Sequence, residues 1–343
     1  MHPFDQLIST FSASGKQFEV LCKWILETDP TYANMLEKVW LWDDWPGNWG
    51  IDKGTDLVAQ DTDGRIWAIQ AKHYSPNYSI TYTDIKSHIA DSANARIDCR
   101  MLIATTDTIG KNPRDTIELS TTEKPYFSLM LEGLRNLPIE WPKSLDELSS
   151  GGIAKKYTPK PHQQAAISDV VTGFKKYDRG QMIMACGTGK TLAGLWIAET
   201  LKAETTLVLF PSLLLLSGTL KDWLTHSKEP FKFLPVCSDG TVTKKADDSI
   251  SFKTSDLSFP STTDEAEIAE FLKRGGKKVI FSTYQSCRQI AAAYKIADLK
   301  PLDLVIADEA HRCAGKAGAD YTTALDNNEI PAAKRLFMTA TPK

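Results

Sequence analysis

The sequence predicts an α/β protein whose 343 residues form two domains. In the second half, apolar strand-like runs alternate with helical segments, which is typical of βαβ units on a mostly parallel sheet. In the first half, helix and strand patterns also alternate, and two of the strands are close enough to form a hairpin. The length is sufficient for two domains. We therefore expect an α/β domain over residues 1–148, a linker over 149–160 and a parallel-sheet domain over 161–343.

The first predicted element is an amphipathic helix over residues 14–28, because its apolar residues recur at the spacing of one helix face. Strand-like runs follow at 39–42, 56–60 and 66–71, and the turn at 61–64 joins the last two as a hairpin. This half is completed by a helix around 81–95 and a strand at 101–105.

The stretch from Pro142 to Pro161 is rich in serine, glycine and proline and has little apolar periodicity, which is typical of a linker. The polar segment 239–263 is predicted to be a surface insertion, because Ser, Thr, Asp and Lys dominate it. The strands of the second half are predicted at 181–185, 206–210, 278–283, 303–307 and 335–339.

Composition and charge exclude several classes of protein. The formal net charge is −3, so any nucleic-acid contact must come from local basic patches. The N-terminus has no signal-peptide pattern, and no apolar stretch approaches the roughly 20 residues that span a bilayer. The six cysteines form no CxxC pair and match no zinc pattern. We expect a cytoplasmic protein with reduced thiols and no membrane partner.

A glycine-rich loop, Gly187-Thr188-Gly189-Lys190-Thr191, follows an apolar strand and opens a helix. Glycines let the backbone approach phosphates, and the N–H groups at the helix N-terminus form an anion cradle. Lys190 is expected to hold the β- and γ-phosphates of ATP, and Thr191 to place its hydroxyl on Mg²⁺. The general pattern has a glycine where this chain has Met184. Taken alone, the loop could also be a chance glycine-rich turn.

A second motif, Asp308-Glu309-Ala310-His311, follows the apolar strand at 304–307. A carboxylate at a strand end can hold Mg²⁺ through water, and its neighbour can polarise the attacking water. We assign the first role to Asp308 and the second to Glu309. A solvated acidic turn is the alternative, but two motifs on two strands in this order favour a nucleotide site.

These motifs resemble those of superfamily 2 helicases and translocases of the DEAH-box kind, over residues 157–343. The resemblance implies a RecA-like P-loop lobe that uses ATP and Mg²⁺ to move along double-stranded DNA. The resemblance assigns adenine recognition to Gln163, DNA-backbone contacts to Pro211, Ser212 and Thr283, and coupling of hydrolysis to movement to His311, Thr339 and Thr341. The alternative for the DNA-contact segments is that they are ordinary strand-to-helix turns. The alternative for His311 is a packed histidine without a coupling role.

The same resemblance implies a second RecA-like lobe, which in this family closes the cleft and supplies arginine fingers. The sequence stops at Lys343, directly after the Thr-Ala-Thr element. We therefore expect the chain to be a fragment that by itself hydrolyses ATP poorly.

The first half contains a candidate metal site. Gln70 and Lys72 are two residues apart on a predicted strand and therefore share a face, and Asp56 opens the preceding strand of the hairpin. Asp56, Gln70 and a backbone carbonyl could bind Mg²⁺ through oxygen, and Lys72 could help to deprotonate an attacking water. Glu19, on the first helix, could add a carboxylate. Asp52 is an alternative to Asp56 as the metal ligand.

This pattern resembles the PD-(D/E)xK nuclease fold in its Mrr-like version, over roughly residues 10–107. Most relatives have an acid where this chain has Gln70, which should weaken metal affinity. A degenerate nuclease or an unrelated α/β domain is the alternative. Four tryptophans follow one another at short intervals, and we interpret them as packing residues rather than as base-stacking ones. They are Trp40, Trp42, Trp45 and Trp49.

A nuclease followed by a motor in one chain resembles the single-polypeptide, type I-like (type ISP) restriction–modification enzymes. In that family a methyltransferase and a target-recognition domain follow the motor. The resemblance therefore implies an endonuclease that cuts after ATP-driven translocation. One alternative is a helicase–nuclease defence protein without a methyltransferase. Another is a catalytically dead nuclease fold that serves as a DNA-binding clamp for the motor.

Overall fold

The computed structural model describes residues 1–12, 15–50, 54–121, 123–238, 257–310 and 322–341. The chain divides into two compact units: the first is Met1–Lys155 with Ser255–Pro260, and the second is Lys156–Thr254 with Ser261–Lys343. The helices of the first unit are α1 (Pro3–Ile8), α2 (Lys16–Thr28), α3 (Pro30–Met35), α4 (Tyr82–Asp91), α5 (Lys111–Ser120) and α6 (Leu131–Arg135). Its strands are β1 (Leu36–Leu41), β2 (Leu57–Asp61), β3 (Ile66–Lys72), β4 (Ser79–Ile80), β5 (Cys99–Ala104), β6 (Thr108–Ile109), β7 (Tyr126–Leu129), β8 (Ile139–Glu140) and β9 (Gly152–Ile153).

The first unit is built on a mixed sheet of five strands in the order β1-β2-β3-β5-β7. The first three strands are antiparallel, as the predicted hairpin requires, and β3, β5 and β7 run parallel. The hairpin turn is stabilised locally, because the Asp61 carboxylate accepts from the backbone N–H groups of Asp63 and Arg65 at 3.0 and 2.9 Å. Gly64 supplies the positive φ of +83° that the turn needs.

Helices cover both faces of this sheet. Helix α2 packs on the face that carries Trp67 and Ile69, whereas α4 and α5 pack on the face that carries Leu102 and Ala104. Because side chains alternate along a strand, Gln70 and Lys72 share the second face.

The second unit contains the helices α7 (Pro161–Gly173), α8 (Lys190–Thr200), α9 (Leu213–His226), α10 (Glu265–Lys273) and α11 (Cys287–Ile296). Its strands are β10 (Arg179–Ile183), β11 (Thr205–Phe210), β12 (Lys232–Val236), β13 (Lys278–Thr283), β14 (Leu302–Ala307) and β15 (Ala332–Thr339). These six strands form one sheet in the order β10-β15-β14-β11-β13-β12, and every neighbouring pair is parallel.

The structure confirms the predicted fold class, including the parallel sheet of the second half and the hairpin of the first. Six strands were not predicted, and each of them has five residues or fewer: β4, β6, β7, β8, β9 and β12. The prediction of a surface insertion at 239–263 was wrong for its last part, since Leu257, Ser258 and Phe259 are buried. Residues 239–256 of that segment lie outside the described residues.

Other sequence expectations concern cysteines and membranes. The cysteines in the described part of the chain are free thiols, and Cys313 lies outside it. None of the helices described combines the length and the apolar character that crossing a bilayer requires.

Candidate active sites

The glycine-rich loop of the second unit has the backbone geometry of a phosphate cradle. Gly187 and Gly189 adopt φ values of +74° and +81°, which side chains disfavour. Gly189 is the N-cap of α8, so the first N–H groups of this helix face the loop. A Cβ on Gly189 would lie 2.3 Å from the amide nitrogen of Gln163, so a larger residue would displace this amide and would also be strained by the positive φ.

Lys190 and Glu309 lie close to each other beside this loop. The Lys190 ammonium is 3.8 Å from Glu309 Oε1 and donates to the backbone carbonyl of Met184 at 3.3 Å. The Met184 position, which departs from the general pattern, therefore provides a backbone acceptor rather than a side-chain contact. Only 9% of Lys190 is exposed, which keeps its charge directed into the site.

Asp308 immediately follows β14 and is held on its backbone side by strand β11, because its N–H donates to Leu209 at 2.9 Å. Its carboxylate accepts from the Glu309 N–H at 2.9 Å. Burial raises the pKa of Asp308 to about 6, and the neighbouring Glu309 charge also raises it. A buried carboxylate next to a second carboxylate suits a cation, and the Thr191 hydroxyl is a second oxygen donor of the kind that Mg²⁺ accepts. The residues present therefore fit a magnesium ion.

Gln163 also belongs to this cluster. It lies in the first turn of α7, and its side-chain amide donates to the carbonyls of Thr188 and Gly189 at 3.2 and 3.3 Å. His162 Nε2 lies 3.1 Å from the same Thr188 carbonyl. The structure thus brings the predicted adenine-reading residue into direct contact with the loop.

The remaining motor residues lie at strand ends of the same sheet. Thr339 is fully buried on β15, beside β10, where its carbonyl accepts from the Met184 N–H at 3.1 Å and its hydroxyl donates to Thr341 at 3.0 Å. Ser212 caps α9 after the buried Pro211. Thr283 is fully buried, and its hydroxyl donates to Ser286 at 3.1 Å. His311 lies outside the described residues, so its role stays a prediction.

The candidate nuclease site begins where β2 and β3 meet. The Asp56 N–H donates to Ile69 at 2.9 Å, and the Asp56 carboxylate accepts from the Ala71 N–H at 2.7 Å. The Asp56 carboxylate therefore lies beside the backbone of Ala71, the residue between Gln70 and Lys72. The structure therefore brings Asp56, Gln70 and Lys72 to the same end of β3.

Gln70 is fully buried, and neither its amide oxygen nor its amide nitrogen has a hydrogen-bond partner among the described residues. A buried amide without a partner costs about 1–3 kcal/mol, so its retention points to a ligand. No group of three His, Cys, Asp or Glu suited to a metal occurs in the described parts of the chain. A metal here would need the Gln70 amide oxygen beside the Asp56 carboxylate, and these oxygen donors fit Mg²⁺.

Glu19 approaches from the opposite face of the sheet. It is buried on α2, and its carboxylate is 3.1 Å from Lys16 Nζ. Burial raises the pKa of the nearby Cys22 thiol, and the charges of Asp56 and Glu19 raise it further. Glu19 and Asp56 are therefore both near Cys22, and the Asp56 carboxylate also accepts from the Ala71 N–H, between Gln70 and Lys72. Asp52, the alternative ligand, lies outside the described residues.

Sequence reasoning missed a buried contact behind Asp56. His88 of α4 is fully buried, and its Nδ1 lies 3.1 Å from the carbonyl of Gly54. Since a carbonyl only accepts, Nδ1 carries the proton. Gly54 has φ +141°, and a Cβ there would lie 2.6 Å from the His88 backbone nitrogen. This contact fixes the chain two residues before Asp56, and the signal for it was the glycine at position 54.

The four clustered tryptophans pack on one another, which confirms the packing interpretation. Trp42 and Trp45 are buried, and the rings of Trp42 and Trp49 lie 5.0 Å apart at 81°. Trp40 and Trp49 pack against the same cluster.

Comparison with known proteins agrees with both halves. A family model described as type III restriction enzyme, res subunit (ResIII), matches residues 156–343. A model described as restriction endonuclease (Mrr_cat_2) matches residues 27–149, a range that does not include Glu19. Together with the first structure below, they confirm the resemblance predicted from the motifs.

One similar solved structure is the ATP-dependent type ISP restriction–modification enzyme LlaBIII bound to DNA. It is 32% identical, with a TM-score of 0.84, over 99% of this chain and 22% of that one. A nuclease-deletion mutant of the type ISP enzyme LlaGI with a DNA substrate mimic is 34% identical over 55% of this chain and 18% of its own, with a TM-score of 0.45. A probable helicase of African swine fever virus is 28% identical over 183 residues, which are 53% of this chain and 19% of the viral protein. The chain thus spans 22% or less of the length of each of these relatives.

The titration of His88 is expected to make the first unit less stable in acid. Burial, and then the charge of Arg100, lower the pKa of His88 to about 3, whereas an unfolded histidine titrates near 6.5. Between these values the unfolded state binds a proton that the folded state does not. The free energy of unfolding should therefore fall as pH drops below about 6.5, by about 1.4 kcal/mol per pH unit from this group.

The test compares wild type with His88→Gln in urea unfolding followed by tryptophan fluorescence at pH 7.5, 6.0 and 5.0. The variant keeps a donor for Gly54 but cannot titrate, so the difference in stability between the two proteins should shrink as pH falls. Parallel pH profiles for wild type and His88→Gln would contradict the assignment.

Proposed function

Because the chain belongs to the family of the type III restriction enzyme res subunit through residues 156–343, we propose that it is the nuclease and motor part of an ATP-dependent restriction enzyme acting on duplex DNA. The restriction-endonuclease match of residues 27–149 supports the nuclease half of this proposal. We propose that residues 1–148 cleave, that 149–160 link the two activities, and that 161–343 form the first RecA-like lobe of the motor.

The observation that carries the proposal is the convergence of Lys190, Asp308 and Glu309 at one edge of the parallel sheet. Lys190 lies within 3.8 Å of Glu309. In the proposed reaction Lys190 holds the terminal phosphates, the loop glycines give them backbone N–H groups, and Glu309 orients and polarises the attacking water. Mg²⁺, when bound by Thr191 and Asp308, would neutralise charge on the phosphates.

Adenine recognition is assigned to Gln163, which lies beside the loop. Contact with the DNA backbone is assigned to Pro211 and Ser212, which follow β11, and to Thr283, which ends β13. The side chains of Pro211 and Thr283 are buried. We therefore propose that backbone N–H groups of these segments and the start of α9, rather than those side chains, contact the DNA phosphates. Thr339 and Thr341 follow the strand beside the loop, and their position supports a coupling role.

In the nuclease half, we assign phosphodiester cleavage to Asp56, Gln70 and Lys72. Asp56 and the Gln70 amide oxygen would hold Mg²⁺, which supplies charge to the scissile phosphate. Lys72, half-buried at the end of β3, would orient the attacking water and take part in its deprotonation. Glu19 would support the site from the side of α2, as its proximity to Cys22 and Asp56 permits.

The partners follow from the family and from the relatives. LlaBIII is described as a type ISP restriction–modification enzyme bound to DNA, and this chain corresponds to 22% of it. We propose that the working protein includes a second RecA-like lobe and, if it is of the type ISP kind, a methyltransferase and a target-recognition domain. Double-stranded DNA is the proposed substrate, with ATP and Mg²⁺ as cofactors.

Substitution of Lys72 is expected to abolish DNA cleavage. In the intact protein with Mg²⁺ and ATP, Lys72→Ala should lower the rate of cutting of supercoiled plasmid by about 100-fold or more, because a positioned proton-transfer group contributes about 10²–10⁴. Lys38→Ala, an exposed lysine on β1, is the matched control and should cut normally. Equal cleavage by Lys72→Ala and wild type would exclude the assigned role. Absence of cleavage in all three proteins would favour a DNA-binding clamp.

Gln70→Glu is expected to strengthen metal binding, because it restores the acid that most relatives carry. The Mg²⁺ concentration that gives half of the maximal cutting rate should fall several-fold, since a second carboxylate adds charge to the ligand set. A titration of plasmid nicking against Mg²⁺ measures this. An unchanged or higher half-maximal concentration would show that Gln70 is not a metal ligand.

Two substitutions should separate nucleotide binding from hydrolysis in the motor. Lys190→Ala should remove ATP binding, because it deletes the phosphate-binding ammonium. Glu309→Gln should keep ATP affinity within about twofold and lower DNA-stimulated hydrolysis by about 100-fold or more. Binding of a fluorescent ATP analogue and phosphate release measure the two effects, and Glu265→Gln, an exposed glutamate of the same unit, is the control. Full ATPase activity in Glu309→Gln would rule out its catalytic role.

A further inference from the structure

The chain after β13 carries a buried hydroxyl that the proposed motor roles do not use. Tyr284 directly follows Thr283, opens a short 3-10 helix over Tyr284–Ser286, and is fully buried. Its ring packs in the apolar cluster that includes Leu209 and Ala307. A phenylalanine would satisfy that packing equally, so the hydroxyl requires its own explanation.

The Tyr284 hydroxyl donates to the backbone carbonyl of Asp308 at 2.7 Å, in a buried setting. This bond crosses the sheet, because β11 lies between β13 and β14 in the strand order. The other side of Asp308 is also fixed, since its N–H donates to Leu209 of β11 at 2.9 Å. The residue that starts the DEAH motif is thus held by both of its backbone polar groups.

The carbonyl of Asp308 belongs to the peptide plane that leads into Glu309. Fixing this carbonyl sets the direction of the plane, so the direction in which the Glu309 side chain leaves the backbone then depends on the φ angle of Glu309. That rotation is unusual, because Glu309 has φ +50°, a conformation that non-glycine residues adopt at a cost. A hydrogen bond to the preceding carbonyl helps to keep it, and so to keep the Glu309 carboxylate within 3.8 Å of Lys190.

We propose that Tyr284 is a positioning residue that connects the segment proposed to contact DNA, after β13, with the proposed catalytic carboxylate Glu309. This inference rests on the proposed motor function. A shift of the chain at Thr283 on DNA binding would move Tyr284, and through the Asp308 carbonyl it would change the orientation of Glu309 toward the nucleotide. The connection runs through one side-chain hydroxyl and one peptide plane.

The test is Tyr284→Phe in the intact protein, with ATPase measured with and without duplex DNA. We expect kcat at saturating DNA to fall about tenfold, while the KM for ATP and the affinities for an ATP analogue and for DNA stay within about twofold. Such a split separates loss of positioning from loss of structure, because a disordered site would also bind nucleotide poorly. Unchanged DNA-stimulated kcat, or a loss of nucleotide affinity in proportion to kcat, would overturn the inference.

Tyr294→Phe is the matched control. Its hydroxyl donates to the backbone carbonyl of Lys300 at 3.1 Å, so the change removes the same kind of bond in the same unit without touching Asp308. It should leave kcat unchanged, and an equal loss in the control would contradict a specific role for Tyr284. Thermal unfolding of both variants measures whether their stabilities match.

A double-mutant cycle tests whether Tyr284 acts through Glu309, even if the Tyr284→Phe protein is less stable to unfolding than the wild type. If Tyr284 acts through Glu309, adding Tyr284→Phe to Glu309→Gln should cause no further loss of kcat. Additive losses would show that it acts elsewhere. If the wild-type protein has no DNA-stimulated ATPase at all, the proposed function fails, an outcome distinct from failure of the Tyr284 inference.

Discussion

The common direction of the six strands is the constraint on which the second unit depends. Since all neighbours are parallel, every strand ends at the same edge, and every loop that follows a strand opens there. Strand β15 lies between β10 and β14, so Thr339 stands between the glycine-rich loop and Asp308. Motifs that lie more than 100 residues apart along the chain therefore form one cluster at this edge of the sheet.

The charged side chains of this cluster lie close to one another. Lys190 and Glu309 lie close enough to interact, and burial raises the pKa of Asp308 to about 6. In the proposed function, a nucleotide would bring negative phosphates to Lys190, and a magnesium ion would bring positive charge to Asp308.

The first unit uses a different arrangement, because its sheet changes from antiparallel to parallel at β3. Asp56 is fixed to β3 by its N–H and by its carboxylate, and His88 holds the chain just before it. The buried amide of Gln70 lies at the centre without a partner among the described residues. In the proposed nuclease site, a neutral amide in place of an acid would reduce both the repulsion between ligands and the affinity for Mg²⁺.

The sequence by itself determined the fold class, most of the central strands, the glycine-rich loop and the carboxylates, because strand alternation and turn residues are local signals. It missed six short strands, among them β7 and β12 of the two main sheets, whose pairing depends on distant neighbours. It also predicted a surface position for Leu257 and Phe259, which are buried. The contacts of His88 with Gly54 and of Tyr284 with Asp308 were decided only by the tertiary structure, since strand order and helix packing bring these residues together across the chain.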